Sequence, residues 1–492
     1  MIADLVRLGP EVTLAVLLVV VLLADVFWAR HPLHRTLLLA IAGLGLVLAF
    51  VVLLAVPSAS DHLLFRMVAV DGFAAFFRGL FLVAAAVAVL IAALSDEVPE
   101  RRTGEYLALI LSLTIGMCLL ASAQNLLLIY LAIELVSVPS YVLAGFRRGD
   151  RKSSEAALKY VIYGGVASGL MLYGLSWLYG LTGTLDLATI ATKIGAMGQS
   201  LEVRLLLTVA ALGSFGGFGY KVAAVPFHMW CPDVYEGAPT PFVAFLSVAP
   251  KAAGLAALFR FFVVGFGGAP TWPVGADFPW PLLLGVLSVA TMTLGNVVAI
   301  VQDNVKRLLA YSSIAHAGYM LMAVAVGTAE GGRAVMFYLA VYLLMNFGAF
   351  AAVVAVRART GSENIGEFRG LGATSPYLAA CLAIFLFSLT GLPPFAGFLG
   401  KFYLFAAVLH TGQPFFYAVA VLGALNSAVS LYYYARIVKV MYLEAPTPGS
   451  APLVVTDSAH ALLAALAVPT VLLGVYWAPL AELVARTGLL GR

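Results

Sequence analysis

The stretch FSLTGLPPFAGFLGKFYLF, residues 387–405, suits lipid apart from a few hydroxyls, the pair Pro393 and Pro394, and Lys401. Two adjacent prolines withhold two amide donors, so a helix there is interrupted and leaves carbonyl oxygens free. Unpaired backbone is tolerated at membrane depth only inside protein or beside water. Lys401 is followed by FYLFAAVL, so it does not stand at the end of an apolar segment, where a lysine reaches the interface by snorkelling. The stretch predicts a broken spanning helix with an ammonium group turned inward.

The whole chain agrees with a membrane setting. Its 492 residues are 62% hydrophobic and 11% charged, with a mean hydropathy of +1.01, whereas a soluble domain carries about a quarter charged residues. The net charge of +4 is small, and no basic tract with interleaved aromatics suggests nucleic acid as a partner. Cys118, Cys231 and Cys381 are far apart and form no C-x-x-C pair, which reads as small core side chains and gives no support to disulfides or iron–sulfur ligation. The N-terminal stretch has no basic n-region and no clear cleavage site, so it reads as a retained first span.

A span needs about 20 mostly apolar residues. By that measure the chain is an all-α integral membrane protein of about fourteen spans, near 11–28, 36–56, 73–95, 106–122, 124–146, 157–180, 204–228, 240–265, 281–301, 308–327, 334–356, 378–409, 415–438 and 459–483. The loop 96–105 and the Pro/Gly stretch 444–452 punctuate them. Lys and Arg collect in the loops after odd-numbered spans, among them Arg101, Arg147, Lys306 and Arg357, so those loops are expected inside and both termini outside.

The polar intruders suggest a repeat. Glu134 sits in an apolar segment and Lys221 in a later Gly-interrupted one; about 180 positions on, His316 and Lys401 follow the same order. Spans four to eight and nine to thirteen would be two five-helix units, and the odd count forces the second to enter the bilayer from the opposite side. The organisation expected is three N-terminal spans in 1–100, a first repeat in 101–270, an inverted second repeat in 271–445 and a last span in 446–492. In each repeat a broken helix marks the site: residues 213–226, with Gly213, Gly216, Gly217 and Gly219 expected to unwind the backbone before Lys221, and residues 390–401.

Depth separates function from decoration. Lys251, ten residues beyond Pro241, lies about 15 Å into its span, near the bilayer centre, and Glu134 is similarly deep. A central charge costs about 2.5–3.5 kcal/mol, so Glu134, Lys221, Lys251 and Lys401 together oppose insertion by roughly 10–14 kcal/mol. His316 is weaker evidence, since a buried histidine satisfied by Ser312 or Ser313 would look the same, and His228, beside Trp230 at a span end, could be a plain interfacial group. A charged lysine donates but cannot coordinate a metal cation, and only Glu134 offers a deep carboxylate, so proton relay is favoured over sodium binding. No nucleotide loop, cysteine cluster or metal-spaced His/Glu set was found in the chain.

The strings YLAIELVSVPSYVLAGF (130–146), GFGYKVAAVPFHMWCPDVYEGAPTPFVAFLSVAPKAAG (217–254), DNVKRLLAYSSIAHAGYM (303–320) and TGLPPFAGFLGKFYLF (390–405) resemble the proton-pumping, antiporter-like membrane subunits of respiratory complex I, a family that includes Mrp-type antiporter subunits. The resemblance runs from about residue 70 to 440 and is closest to the branch whose chain ends after a fourteenth span. It implies that Glu134 and Lys221 interact in a first half-channel, that Lys251 is the central relay with His316 beside it, and that Lys401 serves a second half-channel. It also implies a bacterial inner membrane, surrounding lipid, and neighbouring subunits of the K and M types. NADH, FMN, iron–sulfur clusters and quinone would be handled by partner subunits, with no cofactor on this chain. A subunit of a cation/proton antiporter and a purely structural spacer are the competing readings.

Overall fold

The computed structural model describes residues 6–56, 62–64, 66–197, 200–267, 280–446 and 456–487. The boundary expected at 270/271 and most of the 444–452 stretch lie outside them. Three helices come first, α1 (Gly9–Phe27), α2 (His34–Ala55) and α3 (Gly72–Leu94). A first group contains α4 (Thr103–Ser122), α5 (Leu126–Ala144), α6 (Arg151–Thr182), the short α7 (Leu187–Ala196), α8 (Leu201–Val222), the half-helix α9 (Cys231–Gly237) and α10 (Thr240–Gly265). A second contains α11 (Trp280–Ala299), α12 (Val305–Ala325), α13 (Ala329–Thr360), the single turn α14 (Leu371–Thr374), α15 (Pro376–Thr390), α16 (Ala396–Leu409) and α17 (Pro414–Leu443). Then follow α18 (Asp457–Val475) and α19 (Ala478–Arg486). Among the described residues 13 helices are long and apolar enough to cross a membrane. The remaining crossing is divided between α15 and α16, which accounts for the fourteenth span. A two-residue ribbon, His62–Leu63 with Val68–Ala69, is an addition to the all-helical expectation.

Local chemistry explains why the two groups repeat. Asn125 and Asn304 cap α5 and α12 with their side chains, and each makes an isolated bridge to the loop after the next long helix, Asn125 to Asp186 and Asn304 to Asn364. Those long helices, α6 and α13, are both 32 residues and both end on a left-handed glycine, Gly183 at φ 63° and Gly361 at φ 72°. A glycine at that position satisfies the last carbonyls without the Cβ penalty. Counted from the two caps, Glu134 shares its position with Ser313, and Ser137 shares its position with His316. The repeat therefore pairs Glu134 with a serine, not with His316.

Burial sorts the helices into a centre and a lipid-facing rim. The apolar window of α10 is buried throughout, while α1 and α2 leave Val16, Leu23, Leu44 and Val47 open. α10 is also pinned at both ends. At its start the Glu97 carboxylate accepts the amide of Thr240 at 2.9 Å and lies 3.3 Å from both Arg147 and Arg357. Toward its end Arg260 makes a two-pronged pair with Asp71 at 2.8 and 2.9 Å and donates to the carbonyl of Ala121 at 3.1 Å. Asp71 also caps α3, accepting the amide of Ala74 at 2.8 Å.

Burial alone would raise the Glu97 carboxyl, but Lys306, Arg357 and Arg147 around it hold it below the usual carboxylate range. Its stabilising contribution is therefore complete at neutral pH and is lost as pH falls through the folded-state value. Glu97→Gln leaves buried cations unmatched, a change that costs about 3–5 kcal/mol when a buried pair is broken. Thermal unfolding in detergent should show a lower midpoint for the variant at pH 7, with the difference shrinking in acid; equal midpoints at pH 7 would refute the clamp.

Candidate functional site: a buried row of lysines at two helix breaks

The four glycines before Lys221 do not unwind the chain. α8 continues through them to Val222, and the break comes after the lysine, where Ala223 takes a left-handed φ of 59° and the Val225–Pro226 bond is cis. The glycines instead let α8 lie against α6: a Cβ on Gly213 would meet the Gly174 Cα at 2.9 Å, and one on Gly217 would meet Met171 Sδ at 2.3 Å. In the second repeat the prolines do interrupt the helix as expected. α15 ends at Thr390, Gly391 follows at φ 89°, the Pro393–Pro394 bond is cis, and α16 starts at Ala396.

Both breaks present the carbonyl end of a half-helix inside the protein, and each has a lysine at it. Lys221 stands in the last turn of α8 itself and donates to Ser137 Oγ at 2.8 Å. Lys401 belongs to α16 but reaches back to donate to the carbonyl of Thr390 at 2.7 Å and to Ser427 Oγ at 2.9 Å. Its ammonium also lies 4.9 Å from the centre of the Tyr319 ring. A helix C-terminus carries about half a negative charge, so a cation there is held by the dipole as well as by hydrogen bonds. The ammonium of the opening stretch thus caps the very carbonyls that its prolines freed.

Lys251 lies between these two. Its ammonium donates to Ser313 Oγ at 2.6 Å, stands 3.9 Å from Cys231 Sγ and lies 5.6 Å from the centre of the Tyr235 ring. Tyr235 Oη is 3.3 Å from the same serine oxygen. On the Lys221 side, Gly254, one turn along α10 from Lys251, gives the lysine stem room: a Cβ there would meet Lys221 Cγ at 3.1 Å. On the Lys401 side, His316 joins Tyr338 through Nδ1 at 2.5 Å and Tyr434 through Nε2 at 3.3 Å, and the Tyr434 hydroxyl contacts Ser312. Beyond Lys401, Asn296 donates to Tyr319 Oη at 2.9 Å and accepts from Tyr433 Oη at 3.0 Å. Serine and tyrosine hydroxyls both donate and accept, so they can pass a proton that lysine and histidine take up and release.

Lys221, Lys251, His316 and Lys401 are all buried, each with no more than 4% exposure. Glu134 differs. It is half-buried and hydrogen-bonded to Ser168 on α6, and it makes no direct ion pair with Lys221; Ser137, one turn along the same helix, receives that lysine. His228 sits in the segment between α8 and α9, half-buried, with no partner at Nδ1. Sequence reasoning missed Ser137, Ser427, Tyr434 and the carbonyl of Thr390, and it offered Ser313 to His316, whereas Ser313 receives Lys251. Ser137 and Ser313 carried a signal, since each stands one helical turn from an ionisable residue of its own helix, Glu134 or His316.

Residues 123–427 match the family described as NADH:quinone oxidoreductase/Mrp antiporter, TM. A relative in Anaeromyxobacter, named NADH-quinone oxidoreductase subunit N, is 49% identical over 488 residues, covering 96% of this chain and 94% of that relative. The fold is similar to a chain in the respiratory complex I of Thermus thermophilus with bound aureothin, with a TM-score of 0.79, 35% identity, and coverage of 97% and 100% of the two chains. A chain of the Mrp complex from Dietzia shares the fold at a TM-score of 0.80 and 22% identity, over 98% of this chain and 96% of that one.

The contact between the two halves of the second broken helix is testable. A Cβ on Gly397 would stand 1.8 Å from the carbonyl oxygen of Ser388, so Gly397→Ala must push α16 off α15. Overpacking of this kind costs about 1–3 kcal/mol. The amount of folded chain recovered from membranes should fall, whereas Gly366→Ala, with open space around it, should leave it unchanged.

Proposed function

The chain belongs to the antiporter-like transmembrane family of NADH:quinone oxidoreductase, and from that premise we propose that Lys221, Lys251, His316 and Lys401 form its proton path, with Glu134 at one end. It is a multi-pass, proton-translocating membrane-arm subunit of that enzyme complex, working beside other membrane subunits. In this reading Lys251 is the central carrier, and Ser313 orients its ammonium. Ser137 and Ser427 do the same for Lys221 and Lys401. His316 with Tyr338, Tyr434 and Ser312 bridges the centre to the second break. His228 has no bond into the row and is left outside it. The observation that carries the reading is the placing of Lys221 and Lys401 at the carbonyl ends of two half-helices. A small shift of either half-helix changes what its lysine is bonded to, and so which protonation state is favoured.

This division of labour leaves electron transfer to partner chains: NADH, flavin, iron–sulfur clusters and quinone are bound elsewhere, and this subunit is non-redox. The neighbours are subunits of the K and M types in a bacterial cytoplasmic membrane, with the Lys/Arg-rich loops inside and both termini outside. Glu134, half-buried on the outer side of α5, fits a place at such a contact. A sodium antiporter is the weaker reading, since the buried row offers cations and hydroxyls in place of carboxylates.

Lys251→Ala and Lys401→Ala in the assembled complex should keep the subunit in place and abolish its share of NADH-driven proton uptake into inverted vesicles. Pumping that is unchanged in both variants, with normal assembly, would falsify the reading. Ser313→Ala removes a hydrogen bond to a charged group, about 1.5–3 kcal/mol, so the proton-transfer step should slow by about tenfold or more. That slowing should show as a lower ratio of protons moved to NADH consumed at high turnover.

A further inference from the structure

A cleft of about 720 Å³ opens between α2, α3, α13, α18 and α19, away from the lysine row. Its floor is a stripe of small residues on α3, Gly72, Ala75 and Gly79, which share one helix face. A Cβ on Gly79 would meet only ordinary contacts, Leu53 Cδ2 at 3.6 Å and Phe50 Cε2 at 3.7 Å. The walls are apolar.

Depth identifies the occupant. α3 lines the cleft from Gly72 in its first turn to Val83, a rise of about 17 Å at 1.5 Å per residue. That is close to half of the roughly 30 Å hydrocarbon core. A partner's spanning helix would need a groove of full depth; this one serves a single leaflet. All its polar groups lie at the shallow end, where α2 finishes, α3 begins and α19 lies past the end of α18. Asp71 is there too, but Arg260 already takes its carboxylate. α19 turns Leu480 and Leu483 into the cleft and places Arg486 and Thr487 at the mouth. Among the described residues Arg486 pairs with Glu482 at 3.3 Å, an exposed i,i+4 contact that is weak enough to yield to a phosphate.

We infer that this cleft is a phospholipid site, with an acyl chain in the slot and the phosphate on Arg486. The inference stands whether or not the lysine row carries protons. It has a mechanical consequence all the same. Leu473 of α18 lines the cleft, and its neighbour Gly474 lies so close to the second helix break that a Cβ there would be 1.8 Å from the Pro394 carbonyl oxygen. A lipid seated against α18 therefore bears on the segment that holds Lys401.

The test uses the assembled complex in nanodiscs containing phosphatidylglycerol with a photoactivatable group in its acyl chain, and maps the cross-links by peptide. Label concentrated on the stretch around Leu80 and Val83 and on that around Leu343 is the expected result. Gly79→Phe fills the slot and should remove it; Gly79→Ala should keep it. Arg486→Glu, on the surface and harmless to folding, should weaken it by about tenfold. Label spread evenly over the outward residues of α1 and α2 without enrichment in the cleft, or cleft label unchanged in Arg486→Glu, overturns the site.

Discussion

A charge at the centre of a bilayer has to be matched from within the protein, and here the match comes from backbone that the sequence has deliberately left unpaired. Prolines and a left-handed glycine stop α15 at Thr390; the carbonyl end so exposed would be costly on its own, as would the ammonium of Lys401. Together each satisfies the other. At the first break Lys221 occupies the last turn of α8 and its ammonium is taken by Ser137 of α5, so each break has a lysine beside it, bonded to the freed carbonyl end in the second repeat. Neither lysine is neutralised by a close carboxylate. Lys221 is held by a serine hydroxyl and Lys401 by a serine hydroxyl and the Thr390 carbonyl, interactions that let go of a proton more readily than an ion pair does.

That arrangement needs a rigid reference, and α10 supplies it. The helix bearing Lys251 is buried throughout and pinned by charge at both ends, by Glu97 at its start and by Arg260 with Asp71 toward its end. Buried ion pairs contribute little net stability against an apolar alternative, but removing one partner is strongly unfavourable. They therefore specify where α10 sits more than how tightly it is held. The half-helices on either side end at loops, whereas the helix of the central lysine is anchored by ion pairs near both ends. The proposed proton path thus has its middle member on a helix anchored at both ends.

Much of this was legible in the residues. Apolar length places the fourteen crossings, because every spanning segment must cover the same hydrocarbon thickness. The burial of Lys221, Lys251, His316 and Lys401 follows from their standing deep in apolar segments. The glycines before Lys221 were misread for a physical reason: a glycine in a membrane helix either frees the backbone or lets two helices approach, and only the neighbour, here Gly174 and Met171 on α6, decides which. The spacing of Ser137 and Ser313 from Glu134 and His316 was a signal, but which serine or tyrosine turns toward a lysine is set by tertiary packing, so the pairings with Lys221 and Lys251 were not legible. Matching the repeat by its charged residues also misled. The caps Asn125 and Asn304 give the true register, in which Ser137 receives Lys221 at the position His316 holds in the other unit.

The segments of the molecule outside the resemblance still bear on the part within it. α18 belongs to the tail, yet Gly474 touches the carbonyl of Pro394, and Leu473 beside it faces the cleft. α1–α3 contribute Asp71 to the clamp on α10 and the small-residue floor of that cleft. The last crossing thus packs against the second break from outside, while α12 and α13 hold α15 and α16 on the protein side. Through α18, a crossing that carries no ionisable group of the row both buttresses the second break and lines the cleft, so packing at the lipid-facing rim reaches the segment that leads into Lys401.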